Sequence, residues 1–501
     1  MSKDQETITS ELESISSGSY WFLLGWVFEY IAGFLTQILL TNSISISSYG
    51  VYAFIRKLIA VAIGLSSGGS KMALNRFLPK YTDNPSKQDG ILGLSFVFSV
   101  GVGFFLGIIL YVSAPLLSAM TFTGELTAGI VRVVAITFPL IAAVKVLSGA
   151  LRALELVRLS IFIDWVVRPG LLLIVVGGVA LFDPSLGNVI AALVVASLAT
   201  LGLSTILFVA YTDHIPTLNI SWSVVTDYFK YSVPLVLSQS SSVLFRRIDI
   251  FMLSSLSAST AVGVYNVALL LSGTLLLPLS GFSQLFPPIA SSLYERSDID
   301  QLNKLYRTIT RWSVMLTCAG FVGLIVYRSE LLAIFGSDYT AGTSILIILA
   351  AGQLVNSAAG PAGHLLGMTD HQYVLLANRT SMSVANVLLN YLLLTKYGVI
   401  GTAVATALVL ASLNVTRILE IYVLEGMFPY DKSFLTFLPA LGVATVIMYS
   451  IRSLLMTPLS YVGIPLGLTV YVVSLYGFGM QQFERNLVDQ VVTRAVNIVK
   501  P

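Results

Sequence analysis

The chain has 501 residues, with 28 Lys and Arg against 25 Asp and Glu, yet only 11% of residues are charged and 56% are hydrophobic. A soluble domain carries roughly twice that charged fraction. With a mean hydropathy of +0.85, the composition excludes a water-soluble enzyme, a disordered chain and a nucleic-acid binder, and makes lipid the solvent for most of the sequence.

Taken in chain order, residues 1–18 are polar and acidic, and the apolar run behind them is too long for a signal-peptide core, so they read as a retained cytoplasmic leader. Fourteen apolar runs long enough to span follow, at 19–41, 49–70, 90–113, 126–150, 159–182, 187–211, 230–256, 262–290, 305–327, 343–367, 372–395, 398–424, 433–452 and 459–479. Residues 481–501 form a polar tail. The expected fold is an all-α polytopic membrane protein of about 14 transmembrane helices. Its loops are too short to hold a soluble catalytic domain.

Cysteine and histidine chemistry is sparse. Cys318 has no second cysteine to pair with, and His214, His364 and His371 make no cluster of metal-ligand spacing, so no metal or other cofactor is expected. The nearest approach to a phosphate loop, GLSSGGSK from Gly64 to Lys71, has Ser70 where the motif requires lysine. Nucleotide-driven transport is therefore not expected, and Na+ and H+ stay open as coupling ions. The sequon Asn219-Ile220-Ser221 falls in an expected cytoplasmic connector.

Loop charge gives an orientation. With the first residue placed inside and sides alternated from there, eighteen Lys and Arg fall inside, three (Arg328, Lys396 and Arg452) outside and seven within the spans, together the 28 of the chain. That asymmetry predicts both termini in the cytoplasm.

Sliding the chain on itself by 213 residues pairs Gly50-Val51-Tyr52 with Gly263-Val264-Tyr265, Ser67-Gly68 with Ser280-Gly281, and Tyr81 with Tyr294. Six helices separate the copies, so both have the same orientation, as in parallel-repeat transporters. The expected organisation is an N-lobe at 19–212, a C-lobe at 213–425 and two added helices at 426–480.

The charges inside the spans carry the functional argument. They are Arg56, Lys57, Arg132, Lys145, Arg168, Arg246 and Arg247, with Glu29, Asp164 and Asp249. Facing lipid, each would cost about 2.5 to 3.5 kcal/mol near the bilayer centre. They are therefore expected to face protein or water, with Arg132 and Lys57 the candidates for snorkelling to an interface. Gln239, Ser242, Arg246 and Asp249 fall at i, i+3, i+7 and i+10, a single polar stripe if the seventh helix is continuous. The 213-residue shift lays it over Glu29, Gly33 and Thr36, which predicts a hydrophilic cavity between the lobes.

Local ion pairs compete with this reading: Arg246 with Asp249 at i, i+3, and Asp164 with Arg168 at i, i+4. Arg56, Arg247 and Lys145 have no acid at those spacings and read as cavity cations. Glu29 reads either as a neutraliser of a nearby cation or as a coupling site, and His364 as a packing residue. Helical rise puts Arg56 about 10 Å and Arg246 about 15 Å below the outer ends of their runs, with Lys145, Asp164 and Arg168 in the cytoplasmic half. Two cationic tiers with seven cations against three acids favour an anionic cargo, because Arg forks stabilise phosphate in a low-dielectric cavity and carboxylates repel it.

Three blocks in the second half carry a resemblance: RRIDIFMLSSLSASTAVGVYNVALLLSG from Arg246, FPPIASSLYERSDIDQLNKLYRTITRW from Phe286, and LLAIFGSDYTAGTSILIILAAGQLVNSAAGPAGHLLG from Leu331. In order and spacing they resemble the polysaccharide transporter family, the lipid-linked oligosaccharide flippases of the multidrug/oligosaccharidyl-lipid/polysaccharide superfamily. The resemblance implies a MATE-like, two-lobed alternating-access carrier in the cell membrane, not an enzyme. Its implied cargo is a polyprenyl- or dolichyl-phosphate-linked oligosaccharide, and its implied partners are glycosyltransferases or an oligosaccharyltransferase of the same pathway. By this similarity Arg56 and Arg246 or Arg247 match the positions that grip the phosphate, and Pro139, Pro234 and Pro278 are hinge candidates. The first helix carries Glu29 and no arginine, unlike the lipid II branch, which speaks against a peptidoglycan precursor as cargo. A cation-coupled multidrug exporter shares the fold, but drug cations would require acids in the cavity.

Overall fold

A computed structural model describes residues 24–122, 126–245, 247–455, 459–482 and 484–486, with the side chains of 237–245 outside the description. The expected leader, Arg246 and the side chains of Gln239 and Ser242 lie outside the described residues. Every regular element among the described residues is helical.

The helices start where local chemistry supplies a cap. After α1 (Leu24–Ser43), Ser45 accepts from the Ser48 amide and opens α2 (Ile46–Phe77). Asn84 accepts from the Lys87 amide ahead of α3 (Pro85–Met120), whose Pro85 occupies the first turn, where a missing N–H costs nothing. Thr127 caps α4 (Ala128–Ala153). After α5 (Val157–Phe182), Ser185 caps α6 (Leu186–Tyr211). Helix α7 (Trp222–Phe245) is followed by α8 (Ile248–Leu256), for which Arg247 is the non-helical N-cap.

Next come α9 (Ser259–Gly273) and α10 (Leu277–Glu295), then α11 (Ile299–Val326), capped by Asp298. The tenth expected run divides at Pro361 into α12 (Thr343–Ala358) and α13 (Ala362–Met368). The last elements are α14 (Gln372–Glu425), α15 (Leu438–Leu454) and α16 (Leu459–Gly479).

Among the described residues, eleven helices are long and apolar enough to cross a bilayer. The expected fourteen runs are not all among them. Leu438–Leu454 is a shorter apolar helix, and the seventh run is split between α7 and α8. The eleventh and twelfth runs are fused in α14, whose Gly398 has φ 60° and ψ −144°, a conformation open essentially to glycine. The chain reverses there: a Cβ on Gly401 would lie 1.9 Å from the Leu393 carbonyl oxygen, and Asn378 donates to Glu420 across the hairpin at 2.6 Å.

Two compact units divide the chain, Met1–Val264 and Tyr265–Pro501. In the first, Leu74, Phe77, Ile91, Val144, Leu147, Leu151, Phe208 and Tyr228 bring α2, α3, α4, α6 and α7 onto one core. Small residues set the approach distances. A Cβ on Gly69 would come within 2.6 Å of the Ser232 carbonyl oxygen, and one on Gly50 within 1.9 Å of that of Ser259. Gly263, which the 213-residue shift pairs with Gly50, packs against it: a Cβ on Gly50 would lie 3.1 Å from the Gly263 nitrogen.

In the second unit Phe286, Tyr306, Leu365 and Ile421 form one cluster, and Met315, Phe437, Ala444 and Tyr471 another. Arg311, one of the eighteen cations counted to the inside, is buried in α11. It donates to Ser433 at 3.1 Å, Thr436 at 3.0 Å and the Gly479 carbonyl at 2.9 Å, and pairs with Glu484 at 3.2 Å. Large apolar side chains such as Phe104, Phe105, Val112 and Leu181 are exposed, as lipid-facing positions must be.

Candidate functional site: a charged cavity in the first unit

A cavity of about 110 Å³ opens within the first unit. Its lining includes Glu29, Gly33 and Thr36 from α1, Arg56 from α2, Thr137 from α4, Arg168 from α5, and Ser197 and Thr200 from α6. The three α1 residues are those the sequence pattern placed on its polar face. Counting residues at 1.5 Å each from the helix ends that loop charge predicts to lie outside, Glu29 (14 from Ser43) and Arg168 (14 from Phe182) stand about 21 Å along their helices and Arg56 (10 from Ile46) about 15 Å along its own.

The two arginines of this cavity are held differently. Arg168 Nη2 pairs with Glu29 Oε1 at 3.0 Å, with side-chain exposures of 30% and 37%. Such an accessible pair is readily exchanged. Arg56 makes no ion pair among the described residues. Two cations against one acid leave the lining with a net charge of +1. An unneutralised arginine so far from either membrane surface is costly unless water or a ligand solvates it.

The local reason Arg168 reaches this cavity is a break in helical period. Residues Phe162–Val167 form a π-helical turn within α5, and Pro169 follows in the first turn of the α-helix beyond. A wider turn rotates Asp164 and Arg168 away from the shared face that i, i+4 residues have in an α-helix. The expected Asp164–Arg168 carboxylate pair is therefore not made, and Arg168 Nε reaches only the Asp164 backbone carbonyl, at 3.4 Å.

The carboxylate of Asp164 instead accepts from Lys145 Nζ at 2.7 Å and from the Ser148 hydroxyl at 2.7 Å, with side-chain exposure of 3%. Lys145 read as a cavity cation because no acid lay at pairing distance on its own helix. The acid comes from α5, and Lys145 does not line the cavity of Arg56 and Arg168. Arg168, expected in the cytoplasmic half, lines the same cavity as Arg56.

The remaining charged candidates lie nearby in the same unit. Asp249 is buried, and its Oδ1 accepts the Ile250 amide at 2.8 Å. Asp249 lies in α8, which the non-helical Arg247 separates from α7, and the other members of the expected stripe, Arg246 and the side chains of Gln239 and Ser242, lie outside the described residues. Lys57, expected to snorkel, is half-buried about 17 Å from the start of α2, with Arg247, Asp249 and Arg56 as charged neighbours. Arg132 is exposed near the start of α4, its guanidinium 5.2 Å from the Tyr111 ring centre, a snorkelling geometry. Lys71, read as a loop residue, lies in α2 with Asp164, Lys145 and Arg152 as charged neighbours. The signal for it was the length of α2, which runs seven residues past the expected run to Phe77. In the second unit, His364 packs beside Gly363, where the Arg417 guanidinium also rests.

Comparison with known proteins adds the following. A family described as polysaccharide biosynthesis protein matches residues 39–343. A probable low-salt glycan biosynthesis flippase, Agl15 of Haloferax volcanii, is 32% identical over 187 residues, covering 36% of this chain and 38% of that protein. The probable flippase AglR of the same organism is 29% identical over 261 residues, 49% of this chain and 52% of that protein. The matches thus span about half the length of these relatives or less. Among solved structures, the lipid II flippase MurJ in an inward closed conformation superposes with a TM-score of 0.71 at 17% identity, covering 93% of this chain and 99% of that one. An inward-facing multidrug resistance MATE family transporter of the MOP superfamily follows with a TM-score of 0.65 at 16% identity, covering 81% and 98%. At such identities these likenesses show the fold, which is the expected MATE-like one.

Proposed function

Because the chain belongs to the polysaccharide biosynthesis protein family, we propose that it is a flippase of glycan biosynthesis that moves a lipid-linked oligosaccharide across the cell membrane by alternating access. The observation that carries this reading is Arg56, which makes no ion pair among the described residues, in a cavity where the second arginine is only loosely held by Glu29. A polyprenyl or dolichyl phosphate is the matching cargo, since a phosphate accepts the forked donors of two guanidinium groups. Sugar hydroxyls stripped of water would each cost about 1 to 3 kcal/mol. Thr36, Thr137, Ser197 and Thr200 supply hydroxyl partners along the path.

Glu29 has a defined part in this scheme. It holds Arg168 while the cavity is empty, and the arriving phosphate takes its place on the guanidinium. Its return expels the phosphate on the outer side. Two lobes, 19–212 and 213–425, rock about proline breaks, of which Pro139 and Pro234 lie inside helices and Pro278 at the first turn of α10. Pathway glycosyltransferases or an oligosaccharyltransferase would load and unload the carrier, with both termini in the cytoplasm.

A drug-exporting role is disfavoured because Glu29, the one acid lining the cavity, is already engaged by Arg168. The test is replacement of Arg56 by alanine in cells. Surface glycan is lost at unchanged protein level if the reading holds, and normal glycan export refutes it.

A further inference from the structure

A second cavity lies in the first unit at the junction of α2 and α7, on the side that loop charge assigns to the cytoplasm. It measures about 680 Å³ and is lined by Arg76, Phe77, Lys80, Asp227, Lys230 and Tyr231. Three cations thus face one acid. None of the four charged groups belongs to an ion pair among the described residues.

The site has a rigid floor. The Arg76 guanidinium carbon stands 4.3 Å from the centre of the Tyr231 ring and 5.8 Å from that of Phe77. Phe77 and Tyr231 meet edge to face at 5.9 Å, and Phe77 is part of the first unit's main core. Cation–π contact fixes the guanidinium without neutralising it, so its N–H groups stay available to an oxyanion. A general excess of basic residues at one membrane face accounts for cations being present. It does not account for three converging on one hollow over an aromatic floor with a single acid among them.

We propose that this cavity is a docking site for the phosphate of a lipid head group at the inner membrane surface, separate from the Arg56 cavity. A phosphate mono- or diester fits the donor set: a fork from Arg76 and point charges from Lys80 and Lys230. Its location at helix ends lets a lipid present its head group while the tail stays in the bilayer. The phosphate comes either from an anionic phospholipid or from the carrier lipid of the cargo. The second source rests on the flippase reading, in which this site would receive the cargo before it reaches Arg56.

The test is native mass spectrometry of the purified full chain titrated separately with phosphatidylglycerol and with dolichyl monophosphate, in wild type, in R76A/K230A and in R56A. Both substitutions of the double variant are at the surface, and circular dichroism checks that its helices are intact. The double variant is expected to bind at least one of the two lipids about 30-fold more weakly, from two cations at the membrane surface, with the wild-type affinity falling as salt rises. R56A retains its binding of phosphatidylglycerol, the lipid that the flippase reading does not place at Arg56. The weakened lipid identifies the source: phosphatidylglycerol alone means a membrane phospholipid, and dolichyl phosphate means the carrier. Wild-type affinity for both lipids in R76A/K230A overturns the proposal whatever happens to R56A. Normal glycan export by R56A would overturn the flippase reading and leave this site standing.

Discussion

Replacing Glu29 by glutamine keeps the shape of its side chain and removes its charge, which makes it a clean probe of the exchange at Arg168. In the wild type an incoming phosphate must displace the carboxylate held at 3.0 Å. Because both partners are about a third exposed, the lost ion pair itself is worth at most about 1 kcal/mol. Repulsion adds to this. A phosphate on the far side of the guanidinium would lie about 6 Å from the carboxylate, where two unit charges at an effective dielectric of 20 repel by about 3 kcal/mol. The expected tightening of phosphate-lipid affinity in E29Q therefore lies between about fivefold, from the ion pair alone, and about a thousandfold, from both contributions together. Binding of dolichyl monophosphate to purified protein measures it directly. Translocation in vesicles should slow at the same time, because the group that expels the phosphate is gone. Unchanged or weaker binding in E29Q would refute the exchange and leave Glu29 as a structural partner of Arg168 only.

The other predictions concern stability and separate structural charges from functional ones. Asp164→Asn strands Lys145 in a buried site and should cost about 3 to 5 kcal/mol, seen as a lowered melting temperature in detergent, while the combined replacement K145M/D164L recovers most of the loss. Gly50→Ala drives a Cβ into the Ser259 carbonyl oxygen and should cost about 1 to 3 kcal/mol or more in the same melt, whereas Gly187→Ala, with nothing within 4 Å, should leave it unchanged. Arg311→Met removes the donors to Ser433, Thr436 and the Gly479 carbonyl and leaves Glu484 without its cation, so limited proteolysis should cut faster near residue 480 than in wild type.

The helical architecture was legible because bilayer thickness imposes run length, and breaks such as Pro361 and Gly398 are chemically marked. On α1, Glu29, Gly33 and Thr36 were legible as one face because that helix keeps a regular period through them. Helix ends were less so: α2 continues through Ser70 and Lys71, polar residues that a hydropathy window reads as a loop but that packing against α4 and α7 accommodates. Arg311 was not legible as a structural cation, since its four partners come from residues 433–484, more than 120 positions away in sequence. The break between α7 and α8 at Arg247 carries no proline or glycine to announce it.

The π turn of α5 is the feature that most changes the reading of the charges, and it follows from no residue that a pattern search rewards. Were Phe162–Val167 α-helical, Asp164 and Arg168 would share a face and neutralise one another. Lys145 would then be buried without an acid, and the cavity would lose one of its two arginines. The extra residue in that turn gives the acid to Lys145 and the cation to the cavity at once. One backbone irregularity thus stabilises the packing of α4 on α5 and builds the anion-binding character of the site. Functional sites are where such irregularity is retained despite its cost to the hydrogen-bond ladder.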